Sequence, residues 1–342
     1  MKLLRRLAWI VGLTTLAVAV FIGWVMWPTD SGSPDAPAPE PAPWDQGASG
    51  PQYLPSIDPP ALAGGPSNEA CDTASAPSGA AAINGAGLTT LTWAPFGRPE
   101  TGWEIYAPRV AVEIGTTCDP ASAGFAAALA RWQKGHGLAP SGVFDPASFG
   151  PMLVAWHRAR PFVRINGQGV CPGAPPLSGL ATARAEEGYG GKVVQLRPGA
   201  LEAYRNMVAE ARAAGVLRRP EALTIFSAFR TPEADAARCA RDNNCQGLVR
   251  TICSAHRTGL AMDLYIDVAP GQRPDSSDDE NRKAMARSAL FRWMVVNAGR
   301  FGFVNYAYEP WHWEWTGEPL LPGVPISSLP QAGAAPVIPP PR

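Results

Sequence analysis

From Leu7 to Trp27 the chain carries 21 consecutive residues without a charge. As a helix rising 1.5 Å per residue, a run of that length crosses a hydrocarbon core of about 30 Å. Lys2, Arg5 and Arg6 precede it, and the residues that follow carry Asp30, Asp35, Glu40 and Asp45 but neither Lys nor Arg. Positive charge stays on the cytoplasmic side, so residues 1–6 are expected to be a cytoplasmic basic segment and 7–27 a transmembrane anchor. A cleaved signal peptide is the competing reading. Its apolar core would be shorter, and no small-x-small site follows Trp27 directly. In both readings the bulk of the chain lies outside the cytoplasmic membrane, in the periplasm or cell wall.

Ten prolines fall between Pro28 and Pro60, with few large apolar side chains among them. Such a segment cannot offset its ordering entropy by burial, so residues 28–66 are expected to be a semi-rigid, extended linker. Residues 319–342 hold another eight prolines and are expected to be an irregular tail. Between these flanks the chain has enough apolar residues, 46% overall, for a core. Lys plus Arg and Asp plus Glu both total 29, so no net charge exists to steer nucleic acid. The six cysteines form no CxxC pair, which argues against a cysteine zinc site. An even count in an exported chain argues for disulfides. Fifteen pairings are possible; those expected are Cys239–Cys245, closing a short loop, Cys71–Cys118 and Cys171–Cys253.

Residues 67–160 are expected to form a small helical domain. Ser122 can cap a helix with Phe125, Leu129 and Trp132 at i, i+4 and i+7, ended by Gly135 and Gly137. A turn at 138–145 leads to a second helix from Pro146 to about His157. His136 and His157 read as surface helix residues. From Ala128 to Phe149 the pattern Ala-Leu-x-Arg-Trp-Gln-Lys-x-His-Gly-Leu-x-x-Ser-Gly-Val-Phe-Asp-x-x-Ser-Phe resembles the small helical peptidoglycan-binding module. The N-terminal half of that module and the segment around Cys118 do not match it.

Residues 161–318 mix helices and strands without a regular βαβ alternation, which points to an α+β domain with an antiparallel sheet and flanking helices. Leu201, Tyr204, Val208 and Ala211 mark a helix that stops at Gly215. Leu223–Phe226, Leu260–Ile266 and Trp311–Trp315 read as strands, and 281–297 as one helix. Trp311, Trp313 and Trp315 read as core or cleft wall.

Two of the four histidines stand among other chemistry-bearing residues: Ser254-Ala-His256-Arg-Thr-Gly259-Leu-Ala-Met-Asp263 and Glu309-Pro-Trp-His312. Zinc takes imidazole nitrogen and carboxylate oxygen, and a catalytic site leaves a position open. The turn at Gly259 lets His256 and Asp263 face one ion, and alternation puts Ala261, Asp263 and Tyr265 on one strand face. A buried Asp there needs a partner, and His312 on the last strand can supply the third ligand. Glu309 can move a proton from an attacking water to a leaving amine. Arg230, in Ser227-Ala-Phe-Arg230, can hold a substrate carboxylate or carbonyl oxygen with its planar fork. Glu314 alternates with His312 and reads as a satisfied structural carboxylate.

Ser-x-His-x-x-Gly-x-Ala-x-Asp followed by Glu-Pro-Trp-His resembles the zinc D-alanyl-D-alanine carboxypeptidases over roughly residues 190–316. That family includes vancomycin-resistance D,D-peptidases and shares a fold group with lysostaphin-type enzymes and hedgehog domains. The resemblance implies zinc on His256, Asp263 and His312, Glu309 as catalytic base, Arg230 as the residue binding substrate or stabilising the transition state, and Ser254 near the substrate's terminal carboxylate. Ser-Ala-Phe-Arg stands where the family often has Ser-Gly-Tyr-Arg, and the segment Arg238–Cys253 is an insertion. The implied substrates are peptidoglycan stem peptides. A carboxypeptidase, a cross-link endopeptidase and a non-catalytic wall-binding protein are three readings to separate. Retention of Glu309 speaks against the last, since a structural zinc site needs no base.

Overall fold

In a computed structural model of the chain, residues 71–72, 74–241, 245, 252–318 and 324–325 are described. The expected cytoplasmic segment, anchor and linker, residues 1–66, lie outside the described residues, as does the tail apart from Val324–Pro325. Among the described residues no helix is long and apolar enough to cross a membrane.

Helix α1 (Ala80–Thr90) leads to a small hairpin of β1 (Thr92–Trp93) and β2 (Glu100–Thr101), then to α2 (Ala107–Glu113), α3 (Ala123–Gly135), α4 (Pro146–Ala159) and α5 (Pro161–Asn166). Ser122 caps α3 by accepting from the Phe125 N–H, and Asp145 caps α4 by accepting from the Ser148 N–H with Pro146 next in line. Phe125 and Leu129 enter a core with Trp103, Phe144, Phe149 and Met152, whereas Trp132 stays half-buried and stacks on His136 at the exposed end of α3. Buried Gln133 ties α3 to the following turn and helix through Gly142, Val143 and Ser148. His157 departs from the expected surface position. It is half-buried among Phe96 and Tyr306, where burial, then Arg160 and Arg109, push its imidazole down to about 4.

Arg160 precedes Pro161, and a residue before proline is driven out of the helical region. Its backbone is extended (φ −72°, ψ 127°), so α4 ends there and α5 starts in a new direction. Beyond α5 come β3 (Val170–Cys171), β4 (Ala181–Thr182), β5 (Gln195–Leu196), α6 (Pro198–Ala213), β6 (Ile225–Ser227), α7 (Pro232–Arg241), β7 (Ala261–Leu264), α8 (Asp279–Arg287), α9 (Ala289–Asn297), β8 (Phe303–Asn305), β9 (His312–Trp315) and β10 (Val324–Pro325). The main sheet is antiparallel in the order β6-β7-β9-β8. Leu201, Tyr204, Met207 and Ala211 of α6 pack with Leu290, Phe291 and Met294 of α9 and with Trp311 and Trp313 in its core.

The α+β class with an antiparallel sheet is as expected, and the differences are local. The helix expected over 281–297 is broken at Ser288, which is extended and turns its hydroxyl to the Phe291 N–H as the cap of α9. Strand β8 was not expected, and the tail pairs with β3 at Val324–Pro325 instead of being wholly irregular. The disulfides are Cys71–Cys118, Cys171–Cys253 and Cys239–Cys245, the pairing expected from the sequence.

Candidate active site

Strand β7 lies between β6 and β9, and all four of its residues are buried. In its register Asp263 stands opposite His312 of β9 on one side and Ser227 of β6 on the other. His256 reaches the same place from a short 3-10 turn, Ala255–Thr258, which Ser254 caps by accepting from the His256 N–H. Gly259 ends that turn at φ 70°, where a Cβ would also meet Leu180 at 3.0 Å and Arg197 at 3.2 Å. Glycine suits both demands and lets the chain pass from His256 into β7.

These elements bring His256, Asp263 and His312 together, with one ligand atom from each within 4.8 Å of the others and all three residues buried. His256 Nδ1 lies 2.9 Å from the Ala228 carbonyl, which can only accept. That bond puts the proton on Nδ1 and leaves the Nε2 lone pair facing Asp263 Oδ2 at 3.2 Å. His312 points Nδ1 at Asp263 Oδ1, 2.9 Å away, and Nε2 at Glu314 Oε1, 3.4 Å away. Zinc bonds of about 2.0–2.1 Å at tetrahedral angles separate ligand atoms by roughly 3.3 Å, close to these spacings. Two imidazoles and one carboxylate are a donor set that fits zinc with a position to spare.

The electrostatics follow from burial and partners. Burial pushes the His256 imidazole down to about 4, aided by Arg230. Burial also works against charge on His312, but hydrogen bonds to Asp263 and Glu314 outweigh it and hold the imidazole up at about 9. Burial disfavours ionised Asp263 too, and the two imidazoles overcome it, so the carboxyl sits well below its ordinary range.

Glu309 sits in the loop between β8 and β9. Asn305 shapes that loop, donating to the carbonyls of Glu309, Pro310 and His312. Glu309 Oε2 is 3.9 Å from His312 Nδ1, while its buried Oε1 has no hydrogen-bond partner among the described residues. Burial pushes this carboxyl up to about 8 against the pull of His312. Arg230 follows β6 with its side chain 18% exposed, and three oxygens hold it: Asp235 Oδ1 at 3.0 Å, Ser227 Oγ at 2.6 Å and Ser254 Oγ at 2.9 Å.

The structure therefore gathers His256, Asp263 and His312 with Glu309 beside them, and sets Arg230 and Ser254 in contact. Sequence reasoning passed over Asp235, which lies buried between Arg230 and Arg257 on α7, and Asn305. A carboxylate five residues after Arg230, in the first turn of an amphipathic helix, was the available signal for Asp235. Asn305 has no local signal.

Residues 193–318 match the family model VanY, D-alanyl-D-alanine carboxypeptidase. No curated protein sequence matches the chain significantly. Among solved structures the chain resembles the LdcB LD-carboxypeptidase at 22% identity over 36% of this chain and 60% of that one, with a TM-score of 0.27. It also resembles DacB from Streptococcus pneumoniae D39 at 20% identity over 36% of this chain and 67% of that one, TM-score 0.25. A third is a mutant of the vancomycin-resistance D,D-pentapeptidase VanY in complex with Zn(II), at 21% identity over 43% of this chain and 83% of that one, TM-score 0.26. The chain spans about three fifths of the length of the LdcB structure. At these identities and TM-scores the neighbours lend no functional assignment; the family match stands on the sequence of the segment that contains the His–Asp–His set. Over residues 193–318, the segment that carries the site, this chain is similar to the VanY D-alanyl-D-alanine carboxypeptidase family.

Proposed function

We propose that this domain is a zinc-dependent peptidase that hydrolyses D-alanine-containing amide bonds in peptidoglycan stem peptides, as a D-alanyl-D-alanine carboxypeptidase. The observation that carries the reading is the buried Glu309 carboxyl, one oxygen without a partner among the described residues, beside a converging His–Asp–His set. A structural metal site has no use for such a group, whereas a hydrolase needs a base there.

His256 Nε2, Asp263 and His312 Nδ1 would hold the zinc. When bound, zinc supplies a Lewis acid that polarises a carbonyl and makes water more acidic. Beside a zinc ion Glu309 would favour its ionised form, and it would then take a proton from the water that attacks the scissile carbonyl, so the new C–O bond forms without leaving a strong acid behind. It returns that proton to the leaving amine as the C–N bond breaks. Arg230, held by Ser227, Ser254 and Asp235, keeps a fixed fork for the terminal carboxylate of the stem peptide or for the developing oxyanion.

The location follows the same reading. We place the domain outside the cytoplasmic membrane, held there by residues 7–27, with the helical region near the wall. Three disulfides fit an oxidising compartment.

The full chain, incubated with pentapeptide muropeptides and cross-linked dimers with and without a chelator, tests the reading by product mass. Chelator-sensitive loss of one alanine is expected. Conversion of dimers to monomers instead would make it an endopeptidase, and no product from zinc-loaded protein would overturn the enzymatic reading.

A further inference from the structure

The family-matched segment begins at residue 193. The residue that completes the surroundings of His312 comes from before it. Glu314 lies two positions after His312 on β9, so both side chains leave the same face of the strand. Glu314 Oε1 faces the nitrogen of His312 that points away from Asp263, at 3.4 Å. That oxygen also accepts a hydrogen bond from Arg160 Nε at 2.6 Å and forms an ion pair with Arg160 Nη2, likewise 2.6 Å away. The second oxygen, Oε2, accepts from the Phe162 N–H at 3.1 Å. Burial disfavours ionised Glu314, and Arg160, then His312, hold it down at about 2.

We propose that Arg160, from the junction of the helical region with the peptidase domain, is a positioning residue for the metal centre, fixing His312 through Glu314. The proposal rests on the reading of His312 as a metal ligand. A ligating histidine needs its second nitrogen engaged, which settles the tautomer and the plane of the ring. Glu314 is the acceptor that His312 has on that side, and Arg160 decides where the acceptor sits. Pro161 in turn fixes Arg160, by driving its backbone out of α4. The guanidinium also lies over the Tyr306 ring, 4.1 Å from its centre, and Tyr306 packs edge-on to the His312 ring.

Two further arginines tie the helical region to the loop between β8 and β9. Arg109 of α2 donates to both the carbonyl and the side-chain oxygen of Asn305, each at 2.9 Å, and Asn305 shapes the Glu309 loop. Fully buried Arg282 of α8 donates to the Tyr308 carbonyl while it grips Glu100 and the Tyr106 hydroxyl of the helical region. The helical region is thus joined to the chain at Asn305 and Tyr308, just before Glu309, and Arg160 extends that attachment through Glu314 to His312.

The test uses the full chain with Arg160→Met, Arg160→Lys and Glu314→Gln, and Arg205→Met as a comparison because Arg205 pairs with Glu187 outside this network. Zinc affinity is read by competition with a chromophoric chelator, and folding by circular dichroism. We expect Arg160→Met and Glu314→Gln to weaken zinc binding by about 10- to 100-fold, with kcat falling more than KM rises. Arg160→Lys should recover part of the loss and Arg205→Met should leave zinc affinity unchanged. Folded Arg160→Met with wild-type zinc affinity overturns the proposal. If Arg160→Met does not fold, unchanged affinity in Arg160→Lys and Glu314→Gln together overturns it. A wild-type chain that binds no zinc overturns the metal-site reading itself, a distinct result.

Discussion

Asp263 and His312 stand opposite one another on adjacent strands, with Asp263 Oδ1 2.9 Å from His312 Nδ1. Ser227, which holds Arg230, faces Asp263 from the other neighbouring strand. One row across three strands therefore carries an imidazole, a carboxylate and the support of the arginine. Backbone hydrogen bonds of the sheet set these spacings, so Asp263 and His312 do not depend on a flexible loop.

Asp263→Asn tests that row. The amide keeps the size of the side chain but brings a donor NH2 where two imidazoles need a charged acceptor. The variant is expected to fold yet lose stoichiometric zinc, measured by metal analysis after desalting. Zinc retained at the wild-type ratio would remove Asp263 from the ligand set.

Glu309→Gln separates binding from turnover. Glutamine preserves shape but cannot take a proton. Zinc content should stay at the wild-type ratio while kcat falls by about 10²–10⁴-fold, the usual contribution of a positioned base. Wild-type kcat on a D-alanine-terminated pentapeptide would remove Glu309 from the mechanism.

The same carboxyl gives a pH signature in chelator-treated protein. In the fold, burial raises Glu309 from its ordinary value of 4.5 to about 8. Between those values the unfolded chain has released the proton that the folded chain still holds. Its contribution to stability is therefore complete below pH 4.5, declines as pH rises, and is lost beyond about 8. The glutamine of the Glu309→Gln variant has no such proton, so the melting temperature of that variant minus that of wild type should climb across this window. A flat difference from acid to pH 9 would contradict the shift.

Much of this site is legible in the sequence because its parts are short segments whose spacing repeats the sheet. His256 and Asp263 flank one turn, and Glu309 and His312 flank another. Cysteines pair as expected: Cys239–Cys245 closes a short loop, Cys71–Cys118 packs in the helical core, and Cys171–Cys253 ties β3 to the segment just before the His256 turn. What was hidden lies in long-range polar contact. Arg160 meets Glu314 across 154 positions, and Arg109 meets Asn305 across 196, with no local pattern to mark either. Strand β8 has three residues, too few for a period, and the break at Ser288 follows from a hydroxyl that caps α9 inside a continuous apolar pattern.

Arg230→Lys keeps the charge and loses the fork. A lysine cannot meet Ser227, Ser254 and Asp235 together and still present a planar pair of donors. A hydrogen bond to a charged group is worth about 1.5–3 kcal/mol, so kcat/KM for a substrate with a free terminal carboxylate should drop by about ten- to a hundredfold. An amidated substrate, which lacks that carboxylate, should be affected less. Equal losses on both would assign Arg230 to the oxyanion instead of the terminus.

The Cys171–Cys253 disulfide ends one residue before Ser254, whose hydroxyl both caps the His256 turn and holds Arg230. It also joins β3, before the family-matched segment, to the turn that carries a candidate ligand. Closing a loop across 82 positions restricts the unfolded chain strongly, so the paired change Cys171→Ala with Cys253→Ala should cost about 2–4 kcal/mol in denaturant unfolding. Removing Cys239–Cys245, which spans 6 positions, should cost less. Because Ser254 holds Arg230 and His256 is anchored separately to the Ala228 carbonyl, KM should rise more than zinc affinity falls. A loss of zinc without a change in KM would show that the disulfide supports His256 and leaves the Arg230–Ser254 contact untouched.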